Sequence, residues 1–218
     1  MAEYRQFCGL ARALDVIGDR WNLLIVRELL IAERRHHELK AALPGIATNL
    51  LSERLRDLAD AGVIERREEP GRRPVSYVLT ELGRDLREPV LGLVRWGARR
   101  MTAGPRPDDV VQPQWIALAL EALLPSTGMP EGAILLRADG CEFTLRTSRR
   151  GCHVEPGATA EPDATVDAPA AVILGLFAGA LPQAGPALAA ARIDDPAGHL
   201  DAVLTRIATQ DRTDAARS

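Results

Sequence analysis

The sequence predicts an α+β protein built in two parts, and three observations carry that reading. Apolar residues recur at helical spacing through most of the first hundred positions, broken by one pair of short alternating runs around Pro70-Gly71. The stretch Ala103-Gly104-Pro105-Arg106-Pro107-Asp108-Asp109 then reads as a boundary. Beyond it, short alternating runs are followed by helical ones, the order of an α+β domain. The expected division is a first domain over 1–102, a linker over 103–112, a smaller second domain over 113–210 and a disordered tail over 211–218.

Leu10, Leu14 and Ile17 define a first helix stopped at Gly18, a C-terminal cap. Asp19 caps a second, from Trp21 to about Ala32, whose Leu23, Leu24, Ile25, Val26, Leu29 and Leu30 leave almost no polar face, so it belongs in the core. A third helix covers 34–43, and a Pro44-Gly45-Ile46 turn opens the next, from Ala47 or Thr48 to Ala61. In that helix Leu51, Leu55 and Leu58 share one face, with Asn49, Ser52, Glu53 and Arg56 roughly opposite. Gly62 ends it. Residues 63–67 and 75–79 alternate on either side of Pro70-Gly71-Arg72-Arg73-Pro74, which makes a hairpin. Thr80 with Glu81 then starts a helix to about Met101, with Leu82, Leu86, Val90, Leu93 and Gly97 on one stripe and a kink at Pro89. Turn, short amphipathic helix, glycine stop and a hairpin with arginines at its tip are the plan of a winged helix-turn-helix, and that plan implies double-stranded DNA as partner.

The residues placed to meet DNA follow from the chemistry of the groove. Thr48, Asn49 and Ser52 carry short polar groups for bases or phosphates, and Arg56 can fork onto a guanine edge. Glu53 could accept from cytosine or repel phosphates. Arg54 flanks the core stripe, so its stem lies on apolar surface and its head reaches a phosphate or a carboxylate. Arg72 and Arg73 at the hairpin tip can reach a phosphate or the minor groove, and of Arg66 and Arg67 only one faces the DNA, with Arg66 the choice.

In the second part, Trp115–Leu124 is an amphipathic helix. Strands are expected over Ala133–Ala138, Glu142–Thr147, Cys152–Glu155 and Ala164–Val166, separated by Asp139-Gly140, Arg150-Gly151 and Pro156-Gly157. Helices follow at about 169–178, 185–191 and 196–208, the last capped by Asp194 or Asp195 with Pro196 at its start.

Composition narrows the class. Of 218 residues 46% are hydrophobic and 4% aromatic, enough for a sizeable aliphatic core. No window reaches the roughly 18 apolar residues of a membrane span, and the N-terminus lacks the pattern of a signal peptide; a soluble, cytoplasmic protein is expected. Residues 1–103 carry 18 Lys+Arg against 15 Asp+Glu, and the remainder 9 against 15, so any nucleic-acid face lies on the first part. Cys8, Cys141 and Cys152 form no C-x-x-C pair, which argues against zinc and against a disulfide framework. His36 and His37, adjacent on a helix, point about 100° apart, a poor chelate. In a strand Cys152 and His153 face opposite ways, and Cys152 pairs with about Arg146, away from Cys141. No nucleophile elbow, phosphate loop or ligand cluster is present, so neither metal, cofactor nor enzymatic activity is expected.

The first hundred residues resemble the HxlR-type branch of MarR-like winged-helix regulators. The resemblance rests on Cys8 with Ala11-Arg12-Ala13-Leu14, on Ile17-Gly18-Asp19-Arg20-Trp21, on Arg27-Glu28-Leu29-Leu30 and on Glu38-Leu39. It continues through Leu43-Pro44-Gly45-Ile46, Leu50 to Leu55, Ala61-Gly62, Tyr77-Val78-Leu79-Thr80, Gly83 and Trp96. It implies a homodimeric transcription factor paired through its first and last helices, with His36 and His37 near the DNA backbone. Cys8 matches a cysteine that some members use as a thiol sensor, and Arg5 and Arg12 nearby could lower its pKa. One departure is Ala47, where relatives often carry Ser or Thr; Thr48 is the alternative cap.

Residues 113–208 resemble sterol-carrier-protein-like domains through the Asp139-Gly140 hairpin, Val154-Glu155-Pro156-Gly157, Pro162 to Val166 and Leu174 to Gly179. That resemblance implies an apolar ligand tunnel, for which Trp115, Leu118, Leu136, Phe143, Leu174 and Phe177 are the candidate lining. The expected function is a homodimeric transcriptional regulator, a repressor rather than an activator, that binds an inverted repeat and responds to an apolar small molecule. The alternative is a small-molecule or lipid-binding protein whose winged helix is a protein-interaction module.

Overall fold

In the computed structural model, the described residues are 3–68, 75–101, 106, 108–178 and 191–215, with side chains to Gln210. Helix α1 (Gly9–Ile17) ends at Gly18, whose N–H returns to Leu14 O, as the sequence predicts. Helix α2 (Asn22–Ile31) is the centre of the first core, with Ile25, Val26 and Leu29 buried. It also carries two buried polar residues. Asn22 donates from Nδ2 to Val16 O at 2.8 Å, and Arg27 donates twice to Glu28 Oε1, at 3.0 and 2.7 Å. Burial is the main influence on Arg27 and lowers its pKa against the pull of Glu28.

The expected third helix begins two residues late. Arg34–Arg35 instead form strand β1, and α3 runs His36–Ala42. The reason is non-local, because β1 pairs with strand β3 (Ser76–Leu79), which returns beside it after the hairpin. Helix α4 (Thr48–Asp60) follows the turn, and strand β2 (Ile64–Arg67) pairs antiparallel with β3 to complete a sheet of order β1-β3-β2. The N-cap of α4 is Ala47, in extended conformation, so Thr48 is its first helical residue rather than its cap. At the other end Gly62, at φ +72°, donates to Ala59 O while Val63 donates to Leu58 O. That is the paired hydrogen-bond closure a left-handed residue makes possible, and it aims the chain directly into β2.

Thr80 caps the next helix as expected, accepting from Gly83 N at 3.1 Å. The long helix after it is in fact two, α5 (Glu81–Arg84) and α6 (Arg87–Ala98). The break precedes Pro89, which sits in the first turn of α6, where a missing N–H costs nothing. Gly83 lies against the backbone of Val63: a methyl there would stand 2.0 Å from Val63 O and 3.0 Å from Leu79 Cδ2. Gly83→Ala is therefore expected to destabilise the winged helix by about 1–3 kcal/mol. Calorimetry should show the transition about 4–8 °C lower per kcal/mol lost.

The chain divides into two compact units, Met1–Leu93 and Val94–Ser218, so the division falls within α6, upstream of the expected linker. In the second unit a short 3₁₀ turn (Pro113–Trp115) leads into α7 (Ile116–Leu123). Strands β4 (Gly132–Ala138), β5 (Cys141–Ser148), β6 (Gly151–Pro156) and β7 (Ala164–Asp167) appear close to their expected bounds. A further strand, β8 (Arg192–Asp194), was not legible; three alternating residues are too short a signal. The sheet order is β6-β5-β4-β7-β8, with β4 and β7 its parallel pair. Helix α8 (Ala170–Phe177) is tied to the β4–β5 hairpin, since Ala170 N donates to Asp139 Oδ2 at 3.0 Å. Helix α9 spans His199–Ala215. It starts three residues later than expected, with Asp195 accepting from Leu200 and Asp201, and it continues into the stretch expected to be a disordered tail. The core lies between α7, α8, α9 and one sheet face, with Ile134, Leu136, Leu145 and Val166 meeting Leu120, Ile173 and Val203. The helix expected at about 185–191 falls almost wholly outside the described residues.

Candidate nucleic-acid interface

Helix α4 is amphipathic in the sense the sequence requires. Leu51, Leu55 and Leu58 are buried, whereas Thr48, Asn49, Ser52, Glu53 and Arg56 are exposed. The leucine stripe against the first core fixes which way the polar face looks, so four of the side chains expected to meet DNA, Thr48, Asn49, Ser52 and Arg56, share one open surface. Arg66 on β2 is also exposed, with only a 3.8 Å approach to the equally exposed Glu68. An ion pair of that kind contributes little and yields readily to a phosphate. Its neighbour Arg67 is held by Glu33 at 3.1 Å, so Arg66 is the freer of the two. Arg72 and Arg73 lie outside the described residues.

Arg54 departs from the DNA-facing set. Its residue is only 8% exposed, and its guanidinium pairs with Asp19, Glu53 and Asp57. The sequence reading left a phosphate or a carboxylate as the target; the structure supplies carboxylates. Asp19, from the loop between α1 and α2, thereby ties that loop to α4. The cation neutralises the carboxylates along one wall of an open cleft of about 540 Å³ that Glu3, Tyr4 and Asp15 also line.

One polar neighbour of the exposed face of α4 was missed as a partner. His36, half-buried at the start of α3, places Nε2 3.1 Å from Ser52 Oγ, and Ser52 Oγ donates to Thr48 O at 3.1 Å. The family resemblance implied a place for His36 near the backbone of DNA; its approach to Ser52 depends on how α3 and α4 cross. His37 is exposed.

Cys8 is exposed. It is the N-cap residue of α1, and the backbone N–H groups of Ala11 and then Leu10 lower its thiol pKa, rather than Arg5 or Arg12. Cys152 is the opposite case. Burial, and next the nearby Glu121 carboxylate, push its thiol up to about 12. Glu121 on α7 is itself buried, accepting from Val154 N and facing His153 Nδ1 at 2.7 Å. Cys152 pairs across the sheet with Thr147, one residue from the expected Arg146, and Cys141 with Ala138, so the two thiols are far apart in register. Alkylation should therefore reach Cys8 below the usual thiol range of about 8.5 and spare Cys152 at the same pH, as mass mapping after iodoacetamide treatment would report. Because the folded pKa of Cys152 lies above the unfolded value, its contribution to stability is full below about pH 8.5 and is lost as pH rises toward its folded value.

The expected tunnel residues sit as core residues do. Leu136, Phe143 and Phe177 belong to the packed cluster of the second unit and Leu174 packs against it; Leu118 is buried and Trp115 half-buried. Among the described residues no group of three or more metal-binding side chains gathers, and no helix is long and apolar enough to cross a membrane.

A profile of the HxlR-like helix-turn-helix family matches residues 16–104. A Mycobacterium tuberculosis protein named as an HTH-type transcriptional regulator is 40% identical over 103 residues, which are 46% of this chain. The chain spans 61% of the length of that relative. YvaP of Bacillus subtilis, also named as an HTH-type transcriptional regulator, is 40% identical over 89 residues, 39% of this chain and 80% of the relative. The crystal structure of quinone-bound YodB from B. subtilis aligns at 30% identity over 43% of this chain and 99% of its own, with a TM-score of 0.38. On the similarity of its first hundred residues to such relatives, the chain belongs to the HxlR-like helix-turn-helix family.

Proposed function

We propose that the protein is a homodimeric, sequence-specific transcriptional regulator that binds double-stranded DNA at an inverted repeat and acts as a repressor. The observation that carries this reading is the exposed polar face of α4, with Asn49, Ser52 and Arg56 turned outward by a buried leucine stripe. Relatives named as HTH-type transcriptional regulators support it. The proposed DNA set is Thr48, Asn49, Ser52, Arg56 and Arg66, together with Arg72 and Arg73, which lie outside the described residues. Arg54 has the separate task of holding the helix in place.

Dimerisation is supported by apolar surface that a lone chain leaves in water. In α1 only Ala11 is buried, while Leu10 is 69% exposed and Phe7 beside it fully so; on α6, Leu93 is exposed as well. A second copy pairing through these helices would cover them and set two reading helices about 34 Å apart. Leu10→Glu with Leu14→Glu is expected to convert dimer to monomer in sedimentation velocity. A dimer unchanged by both substitutions would move the interface elsewhere.

The second unit is proposed to be sterol-carrier-like, supported by its helices packed on one face of a five-stranded mixed sheet, and to bind an apolar effector in a conformation that opens this packed core. Such an effector would release DNA by binding two conformations with affinities differing by about 1–3 kcal/mol. The deciding experiment is selection of bound duplexes from a random library. Enrichment of one inverted repeat is expected, with binding that weakens at a log–log salt slope of about -5 to -9 for roughly three to five phosphate contacts per half. A slope near zero would rule this mode out.

A further inference from the structure

We propose that His36 and Ser52 work as a pair that makes Ser52 an acceptor-only reader, selecting adenine or cytosine at one position of each half-site. The inference rests on α4 entering the major groove as proposed above. It starts from two distances: His36 Nε2 lies 3.1 Å from Ser52 Oγ, and Ser52 Oγ lies 3.1 Å from the carbonyl of Thr48.

A serine hydroxyl owns one hydrogen and two lone pairs. If His36 carries its proton on Nε2, it donates to Ser52, whose own hydrogen then goes to Thr48 O. A doubly protonated imidazole gives the same arrangement. If Nε2 is bare, the hydroxyl hydrogen goes either to it or to Thr48 O. In every case the single hydrogen is used inside the protein, and what Ser52 shows the solvent is a lone pair. The conclusion does not depend on the tautomer.

In the major groove, adenine N6 and cytosine N4 are the base-edge donors, whereas guanine N7 and O6 and thymine O4 are acceptors. An outward lone pair therefore meets adenine or cytosine favourably and is repelled by the acceptor edges. Phosphate oxygens are acceptors too, so Ser52 in this arrangement is a base reader and no phosphate anchor. His36 touches no base in this scheme. It is a positioning residue, and Ser52 is the exposed group that reads.

The test repeats the duplex selection with full-length protein, comparing wild type, Ser52→Ala and His36→Ala. Wild type should prefer A or C over G or T at one position per half-site by about threefold to tenfold, the scale of one net hydrogen bond. Ser52→Ala should flatten that position and leave the others. His36→Ala should keep the site but leave Thr48 O as the only internal partner of the hydroxyl, so that it is held less firmly and the preference at that position weakens. A merely structural His36 would lower binding to every duplex alike and leave the preference intact, and that result overturns the proposal. So does a Ser52-dependent preference for G or T, or a Ser52→Ala profile identical to wild type. In those cases a wild-type repeat still stands, and only the pairing falls; if wild type enriches no repeat at all, the DNA reading falls and this inference with it.

Discussion

Changing Asn49, Ser52 and Arg56 together to alanine is expected to abolish operator recognition while leaving the fold intact. These side chains are exposed on the open face of α4 and support no core residue, so their joint removal should change stability little. Their loss removes the direct readout on both halves of a symmetric site. At about 1–3 kcal/mol for each good base contact, binding should drop to the non-specific level, roughly a thousandfold or more below the wild-type site. Titration of the selected duplex against a scrambled one measures this directly. The wild type should separate the two sequences and the triple variant should not. A triple variant that still discriminates would place readout on the wing or on the second unit.

Leu51→Ala should have the opposite character, a large loss of stability from a residue that reads nothing. Leu51 is fully buried on the inner face of α4. Truncating a buried leucine costs about 2–5 kcal/mol, through lost apolar burial and an incompletely collapsed cavity. For a winged helix of this size that lowers the thermal midpoint by roughly 8–40 °C. DNA binding should fall with temperature in step with unfolding and recover on cooling. A midpoint within a few degrees of wild type would mean that α4 does not lean on the first core as the structure has it.

The contrast between Leu51 and Ser52 explains what was legible. Both assignments follow from one helix read alone, because a 3.6-residue period separates the buried stripe from the open face without any knowledge of neighbours. Gly62 and Thr80 were equally legible, since a left-handed stop and an oxygen cap act on backbone groups within a few residues. The strands β4 to β7 were recoverable for the same reason, each being an alternating run bounded by turn residues. Where local signals compete, the reading failed in a local way: Pro89 suggested a kink, yet the helix breaks before it and uses the proline in a first turn.

Arg54 shows the other kind of limit. Its position beside the leucine stripe allowed either a phosphate or a carboxylate, and the choice was made by Asp19, 35 residues away. Strand β1 exists because β3 returns to Arg34 and Arg35 from beyond the wing, and β8 because its three residues find β7. The approach of His36 to Ser52 needs two helices to cross at one place. Leu10 and Leu93 read as apolar helix faces in the sequence, and only the folded chain left them in water. Helix periods, caps and turns are settled within about one turn of backbone, so the sequence alone determined the winged-helix plan and the outward face of α4. Which charges pair, which strands extend a sheet and which apolar faces stay uncovered depend on segments far apart in the chain, and tertiary packing decided them.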